Sequence, residues 1–507
     1  MKKIFILVTA LSWSYLLSGQ TAGDALRYSF FDVQGTARTM GVGGGIGALG
    51  GDFSVLSTNP AGLAIYRTSE FVVTPGFIFN NTTSVLEGDE AEIFKISETK
   101  FNLNNVGLII NKRPNGSKWK TFNFGVGMNR VADFKQTFFY RGKTTGSYAD
   151  RFLERAYDSN GVGFYPDELD DYEAGPAYST GAIFEDFRNQ DSTIIEYLND
   201  FEIHAINTGE DPLIQKEQSV RRKGGINEMV ISVAGNYNER LMLGATIGVP
   251  FVNYEENRSY EESDPANEIF GFVDMTYDER VKTTGVGVNL KLGAIYRINQ
   301  MVRIGASIHT PTAYTLTDTF ATELEYAYDE GLGVERYRER SPDGAFRYKL
   351  STPWRYSGSL GLIIKKRGFI TAELEFVNYS KPSFNFTSDS DNPADREYQD
   401  EINGEINNVF TNVVNFKIGA EYAYKKVRIR AGYGMYGSPY TSKSSSNNSF
   451  SFGLGYRLRS IYLDLAYKYS QYEEEYAPYY VSTESLQQTV YNTFKVNNIL
   501  LTVGFKF

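Results

Sequence analysis

Charged side chains recur at alternate positions in several stretches that are otherwise apolar. Glu373 and Glu375, Lys417 and Glu421, Arg428 and Arg430, and Asp464 and Lys468 are the clearest cases. Two chemistries fit such groups. Arg428 or Arg430 is suited to hold the carboxylate of an acidic amphiphile through a charge-assisted hydrogen bond. Alternatively, the charges brace one another across a wall, which is the default role for opposite charges in close register. Histidine chemistry has little to work with, since His204 and His309 are the only two and no GxSxG or HExxH spacing accompanies them. There is no cysteine, so disulfides, thiolate metal sites and thiol redox chemistry are excluded. Residues 150 to 211 are strongly acidic, densest at Asp167-Glu168-Leu169-Asp170-Asp171, but lack a calcium-loop spacing. No enzyme activity, cofactor or metal is expected. A net charge of -10 gives no footprint for nucleic acid.

The elements that position these charges are strands. Ile461, Leu463, Leu465, Tyr467 and Tyr469 alternate with Tyr462, Asp464, Ala466, Lys468 and Ser470. Phe450 to Leu458 and Ile499 to Phe507 follow the same period of two. Alternating segments centre near Val73, Leu108, Phe124, Val233, Ile247, Val288, Ile304, Leu360, Leu374, Ile418, Ile429, Leu454, Leu465 and Val503. The first two are the least regular, with Pro75 in one and Asn102, Asn104 and Asn105 in the other. Joints such as Asn238-Glu239-Arg240, Lys425-Lys426 and Arg459-Ser460 are very short, whereas 144–225 and 311–348 read as long loops. Short turns at one end and long loops at the other are the pattern of an outer-membrane barrel. The 37 Tyr, 35 Phe and 48 Gly fit aromatic-bordered strands that bend or pack closely. The expectation is an all-β fold: an antiparallel transmembrane β-barrel of about fourteen strands with long extracellular loops. Aromatic Phe507 closes the final strand.

Lys2, Lys3, the apolar run Ile4 to Leu17 and the small-residue site Ser18-Gly19-Gln20 form a signal peptide over residues 1–20. The expected location is the outer membrane of a Gram-negative cell. Residues 21–66 do not alternate and are crowded with glycine, so they are expected to plug the lumen as a hatch; residues 67–507 form the barrel. Around Asp191 to Ala205, apolar Ile194, Leu198, Phe201 and Ala205 are spaced for a short amphipathic helix, suited either to cap the mouth or to touch a partner.

The stretch Gly35-Thr36-Ala37-Arg38, the glycine cluster after it and Asn59-Pro60-Ala61-Gly62-Leu63 resemble the hatch of the FadL/TodX family of outer-membrane transporters for hydrophobic molecules. With Asp24-Ala25-Leu26-Arg27-Tyr28-Ser29, the segment looks like the Bacteroidetes-type branch. The resemblance implies fourteen strands and passive, hatch-gated passage of compounds such as long-chain fatty acids. It also implies sideways exit to outer-membrane lipids at a kinked strand. Asn59, Pro60 and Ala61 take the gating motif positions. Leu26, Tyr28, Phe30 and Phe31 become candidate ligand contacts beside Arg428 and Arg430, and Gly125, Gly127 or Pro250 marks the kink. The alternative use of this fold is as an accessory subunit or shuttle of a larger outer-membrane complex, in type IX secretion or barrel assembly.

Overall fold

The computed structural model describes residues 20–88, 92–158, 160–186, 195–365, 367–386, 393–443 and 445–507. Residues 1–19 of the expected signal peptide lie outside the described residues. Fourteen antiparallel strands close into one barrel. They are β1 (Glu70–Leu86), β2 (Ile93–Lys112), β3 (Trp119–Asp133, continued by Gln136–Thr144), β4 (Ile214–Tyr237) and β5 (Leu241–Ser263). Next come β6 (Gly271–Arg297), β7 (Val302–His309, continued by Ala313–Asp329), β8 (Glu335–Arg340, Gly344–Ser351 and Arg355–Ile364) and β9 (Gly368–Asn378, then Ser383–Asn385). The last five are β10 (Asn412–Tyr424), β11 (Val427–Tyr436), β12 (Asn447–Arg457), β13 (Ile461–Tyr476) and β14 (Val490–Lys506). Closure joins β14 to β1, with Phe505 opposite Phe71 and Lys506 opposite Glu70.

Alternation places the greasy side chains outward, where lipid can cover them. Phe452, Leu454, Leu463, Leu465 and Phe505 all lie on the exposed outer face, while Asp464 and Thr502 between them are buried. Charged groups therefore face the lumen, where water or an opposite charge can stabilise them. Among the described residues no helix is long and apolar enough to cross a membrane. The short turns are tight because their residues accept left-handed backbone: Asn238 and Glu239 have φ of 51° and 56°. Two successive left-handed residues match the twist of the paired strands.

At the other end the strands overshoot the membrane. β4, β5 and β6 run 24, 23 and 27 residues, although about 9–11 suffice to span the bilayer. Above the belt β5 and β6 run on, and segments 214–224 and 313–348, expected within long loops, largely continue β4, β7 and β8 beside them. Their outer positions are charged, as at Arg280 and Glu323, so an apolar pattern does not reveal them. Their inner positions hold Tyr260, Tyr277, Leu324 and Tyr326, all buried. A cap packs there: α3 (Tyr148–Arg155), α4 (Ala174–Thr180) and α5 (Asp200–Thr208). The α3 start is fixed by a capping box between Ser147 and Asp150. Burial pushes the Asp150 carboxyl above its usual range, while hydrogen bonds from the Ser147 backbone and Asn199 pull it back. The expected helix at 191–205 is shorter: Tyr197–Leu198 is extended, Asn199 caps, and α5 starts at Asp200. Residues 191–194 of that stretch lie outside the described residues. A sixth helix, α6 (Pro393–Val409), turns Ile402 and Ile406 into a buried aromatic cluster with Phe384 and Phe386.

Candidate functional site: a plugged lumen and a seam in the wall

Residues 35–66 form the floor of the lumen. Thr36 and Thr39 donate to Asp52 at 2.7 and 2.9 Å, and Arg38 donates to the Gly51 carbonyl at 2.6 Å, folding the segment on itself. Asn59 is buried; its amide donates to the Gly47 carbonyl at 2.8 Å and its oxygen accepts from Ala61 N–H at 3.2 Å. Pro60 opens a short 3-10 helix that Asn59 caps. The floor meets the wall backbone to backbone. A Cβ on Gly432 would lie 2.1 Å from the Gly43 nitrogen, and one on Gly244 would lie 2.4 Å from the Pro60 carbonyl. Phe53 fits only because Gly107 faces it, where a Cβ would come within 2.0 Å of the ring. Glycine on the inner wall is thus the counterpart of glycine in the hatch.

Arg430 belongs to this floor. It is buried beneath Gly41 and donates to Glu421 and Asp464, each at 2.7 Å. Arg428 sits at the short turn, donating to the Lys425 and Val427 carbonyls. Neither is among the residues lining the cavity above, so the structure does not bring them to the expected ligand position: Arg428 is held at the turn and Arg430 within the wall, with one Arg430 Nη left without a hydrogen-bond partner.

Above the floor lies a narrow cavity lined by charge. Lys468 pairs with Asp32 at 2.8 Å, Arg355 with Glu375 at 3.2 Å and Lys417 with Glu373 at 3.7 Å. His309 Nε2 lies 2.6 Å from the Thr58 carbonyl, and its ring meets Phe31 edge-on. Lys468–Asp32, His309–Thr58 and the Gly47 N–H donated to Glu373 tie the N-terminal segment to the wall, while Arg355–Glu375 and Lys417–Glu373 join wall strands to one another.

The apolar space lies higher and is occupied by the chain itself. Helix α1 (Ala22–Ser29) buries Ala22, Ala25 and Tyr28 among Phe134, Tyr254, Tyr314 and Tyr348. Arg27 stacks 4.2 Å over the Tyr254 ring, a cation–π contact that anchors the helix. Of the expected ligand contacts, Tyr28 is buried in this vestibule, Leu26 packs at its edge, Phe30 is 48% exposed and Phe31 points to the charged cavity.

Beside α1 the wall is incomplete. β2 and β3 pair only up to Asn105 opposite Asn129. Beyond that, β2 continues with β1 as far as Val85 opposite Ile93, and β3 continues with β4 as far as Thr144 opposite Ile214. Among the described residues no backbone pairing joins β2 to β3 above that level. Strand β3 shifts register against β4 between Arg130 and Ala132, and the freed carbonyls of Arg130 and Val131 accept from Gln34 and Asp32 of the N-terminal segment. The kink therefore lies just past Gly127. Side chains alone cross the seam: Asn102 donates to Asp133 at 2.7 Å, Lys135 to the Phe101 carbonyl at 3.2 Å and Thr137 to Glu98 at 2.9 Å. Phe101 at its edge is 60% exposed beside Phe77, so the lower seam opens on the lipid belt.

The geometry has solved counterparts. The crystal structure of a Pseudomonas aeruginosa FadL homologue aligns over 94% of this chain and all of its own, with a TM-score of 0.54 at 14% identity. The P. putida toluene transporter TodX aligns over 94% of this chain and 99% of its own, with a TM-score of 0.51 at 12% identity. No curated protein matches the sequence. The fold is that of the FadL/TodX outer-membrane barrels. A family model described as BamG matches residues 200–470, more than half of the sequence, and the chain belongs to the BamG family.

Proposed function

We propose that the chain conducts hydrophobic molecules, long-chain fatty-acid-like compounds among them, passively across the outer membrane and releases them sideways between β2 and β3. The carrying observation is the seam: an apolar vestibule lies against a stretch of wall where side chains replace the backbone ladder. A passenger displaces α1 from the vestibule, since an apolar ligand needs a site that buries most of its surface. The charged cavity below turns it away from the floor, and Asn59, Pro60 and Ala61 keep that floor shut. The FadL homologue and the toluene transporter support this reading through the shared fold.

A second reading has its own observation. The mouth is covered by a folded cap, α1 occupies the apolar vestibule and residues 35–66 close the floor, with a narrow charged cavity between, as suits an accessory subunit of a larger outer-membrane complex of the barrel-assembly or type IX kind. Native purification separates the two. Transport predicts protein that carries fatty acid or phospholipid and restores uptake of a labelled fatty acid in cells lacking it. Arrival with a stoichiometric partner, lost on deleting residues 150–215, together with no uptake, would replace transport by the subunit role.

A further inference from the structure

The outer wall of β4, β5 and β6 carries a band of cations just above its apolar belt. The belt ends with Met229 on β4, Phe251 on β5 and Val286 on β6, all 44–51% exposed. Two rungs of the sheet follow. In the lower one, Lys223 and Lys282 flank Glu255; in the upper one, Arg221 and Arg280 flank Asn257. These residues alternate with inward Arg222, Glu256 and Thr283, so the four cations point away from the lumen. The side chains of Arg221, Lys223 and Arg280 are 58%, 47% and 64% exposed.

Their charge is only partly offset, four cations facing two carboxylates. Glu255 lies 2.9 Å from Lys223 and 3.7 Å from Arg280, and Glu98 lies 3.6 Å from Arg221. Among the described residues Lys282 has no ion-pair partner. The band is also confined in height. On the rungs above, carboxylates return at Asp278, Glu323, Glu261 and Glu325. There Arg336 pairs with Glu325 and Arg338 with both Glu323 and Glu325, so the wall above is of mixed, mutually paired charge.

Lys282 stands four residues beyond Val286 on β6, which at about 3.3 Å per residue and a strand tilt near 40° is roughly 10 Å above the hydrocarbon edge. The headgroup layer is about 5–8 Å thick on each side, within reach of flexible Lys and Arg stems that bend toward it. Strand spacing of about 4.8 Å sets four cations within a patch the size of one headgroup. Arginine forks and lysine point charges are the standard ligands of phosphate oxygens.

We propose that Arg221, Lys223, Arg280 and Lys282 form a binding site for the phosphates of an acidic lipid headgroup in the outer leaflet. The site rests on the long connections lying outside the cell and is independent of transport. The test is native mass spectrometry of the full chain from phosphatidylcholine nanodiscs doped with bisphosphorylated lipid A. The wild type retains the lipid. The fourfold variant Arg221→Gln, Lys223→Gln, Arg280→Gln, Lys282→Gln retains roughly tenfold less or lower. The double variant Lys223→Gln, Lys282→Gln falls between, and answers the question if the fourfold variant loses the heat-modifiable migration of a folded barrel. Replacing Arg336, Arg338 and Arg340, higher on the wall, with Gln leaves retention unchanged. Equal retention by wild type and the double variant overturns the site. So does an equal loss in the Arg336 set, or complete displacement of lipid by inorganic phosphate at matched concentration.

Discussion

The floor of the lumen and the β2/β3 seam close the same barrel by different means. At the floor, backbone meets backbone: glycines 432 and 244 of the wall admit Gly43 and Pro60 with no room for a methyl group. At the seam, backbone pairing stops at Asn105 and Asn129, and Asn102, Asp133, Lys135 and Thr137 span the gap with side chains. A backbone contact without slack opens only when the hatch unfolds, whereas side-chain bridges exchange with rotamer changes. On the proposed function, the difference divides the roles: the floor acts as a static seal and the seam as the moving part.

The strongest way to break this comparison is to put a methyl group where the floor allows none. Gly432→Ala should unseat the hatch, destabilise the barrel by about 3 kcal/mol as overpacking does, and open an ion conductance in planar bilayers. Gly358→Ala, at a wall position with nothing within 4 Å, should change neither stability nor conductance.

A smaller loss is expected from the hatch motif. Asn59→Ala removes hydrogen bonds to Gly47 and Ala61 and leaves buried groups unpaired, at a cost of about 1–3 kcal/mol. Leak should rise without collapse of the barrel, measured as conductance in a protein that still shows heat-modifiable migration.

The smallest stability effect belongs to the seam. Asp133→Ala removes the acceptor of Asn102, Arg130 and the Lys135 backbone N–H at a mostly buried site where water replaces part of the contact, so about 1 kcal/mol, the low end for a lost acceptor, is expected. Hydrogen exchange should nevertheless quicken in 93–104 and 130–144, and uptake of a labelled fatty acid should rise. An unchanged exchange pattern there would mean that the seam does not move.

Much of the barrel was legible because lipid enforces a period of two. Each of the fourteen predicted centres, from Val73 to Val503, falls within its own strand. Where lipid no longer selects, the signal fades: the extensions through 214–224 and 313–348 carry charges outward, as at Arg221 and Glu323, over an inward face that mixes Tyr326 and Tyr348 with Lys216 and Gln218, a pattern that reads as loop. The hatch glycines stood out as a cluster, but Gly107, Gly244 and Gly432 look like ordinary strand glycines until the hatch is seated on them. Arg430 was visible as an inward cation, yet its depth depends on which rung of β11 meets Gly41 and Asp464. The seam was not legible at all, since a missing ladder between β2 and β3 leaves no mark on either strand alone.

Locking the seam is the most direct test of lateral release. The chain has no cysteine, so Asn102→Cys with Asp133→Cys provides a unique thiol pair at the point where those side chains now touch. Cells carrying this variant should take up a labelled long-chain fatty acid while the thiols are free. After treatment with a cleavable bifunctional thiol reagent, uptake should fall to the level of cells lacking the protein, and it should return on cleavage of the linker. Uptake that persists at full rate with the seam cross-linked would contradict the account.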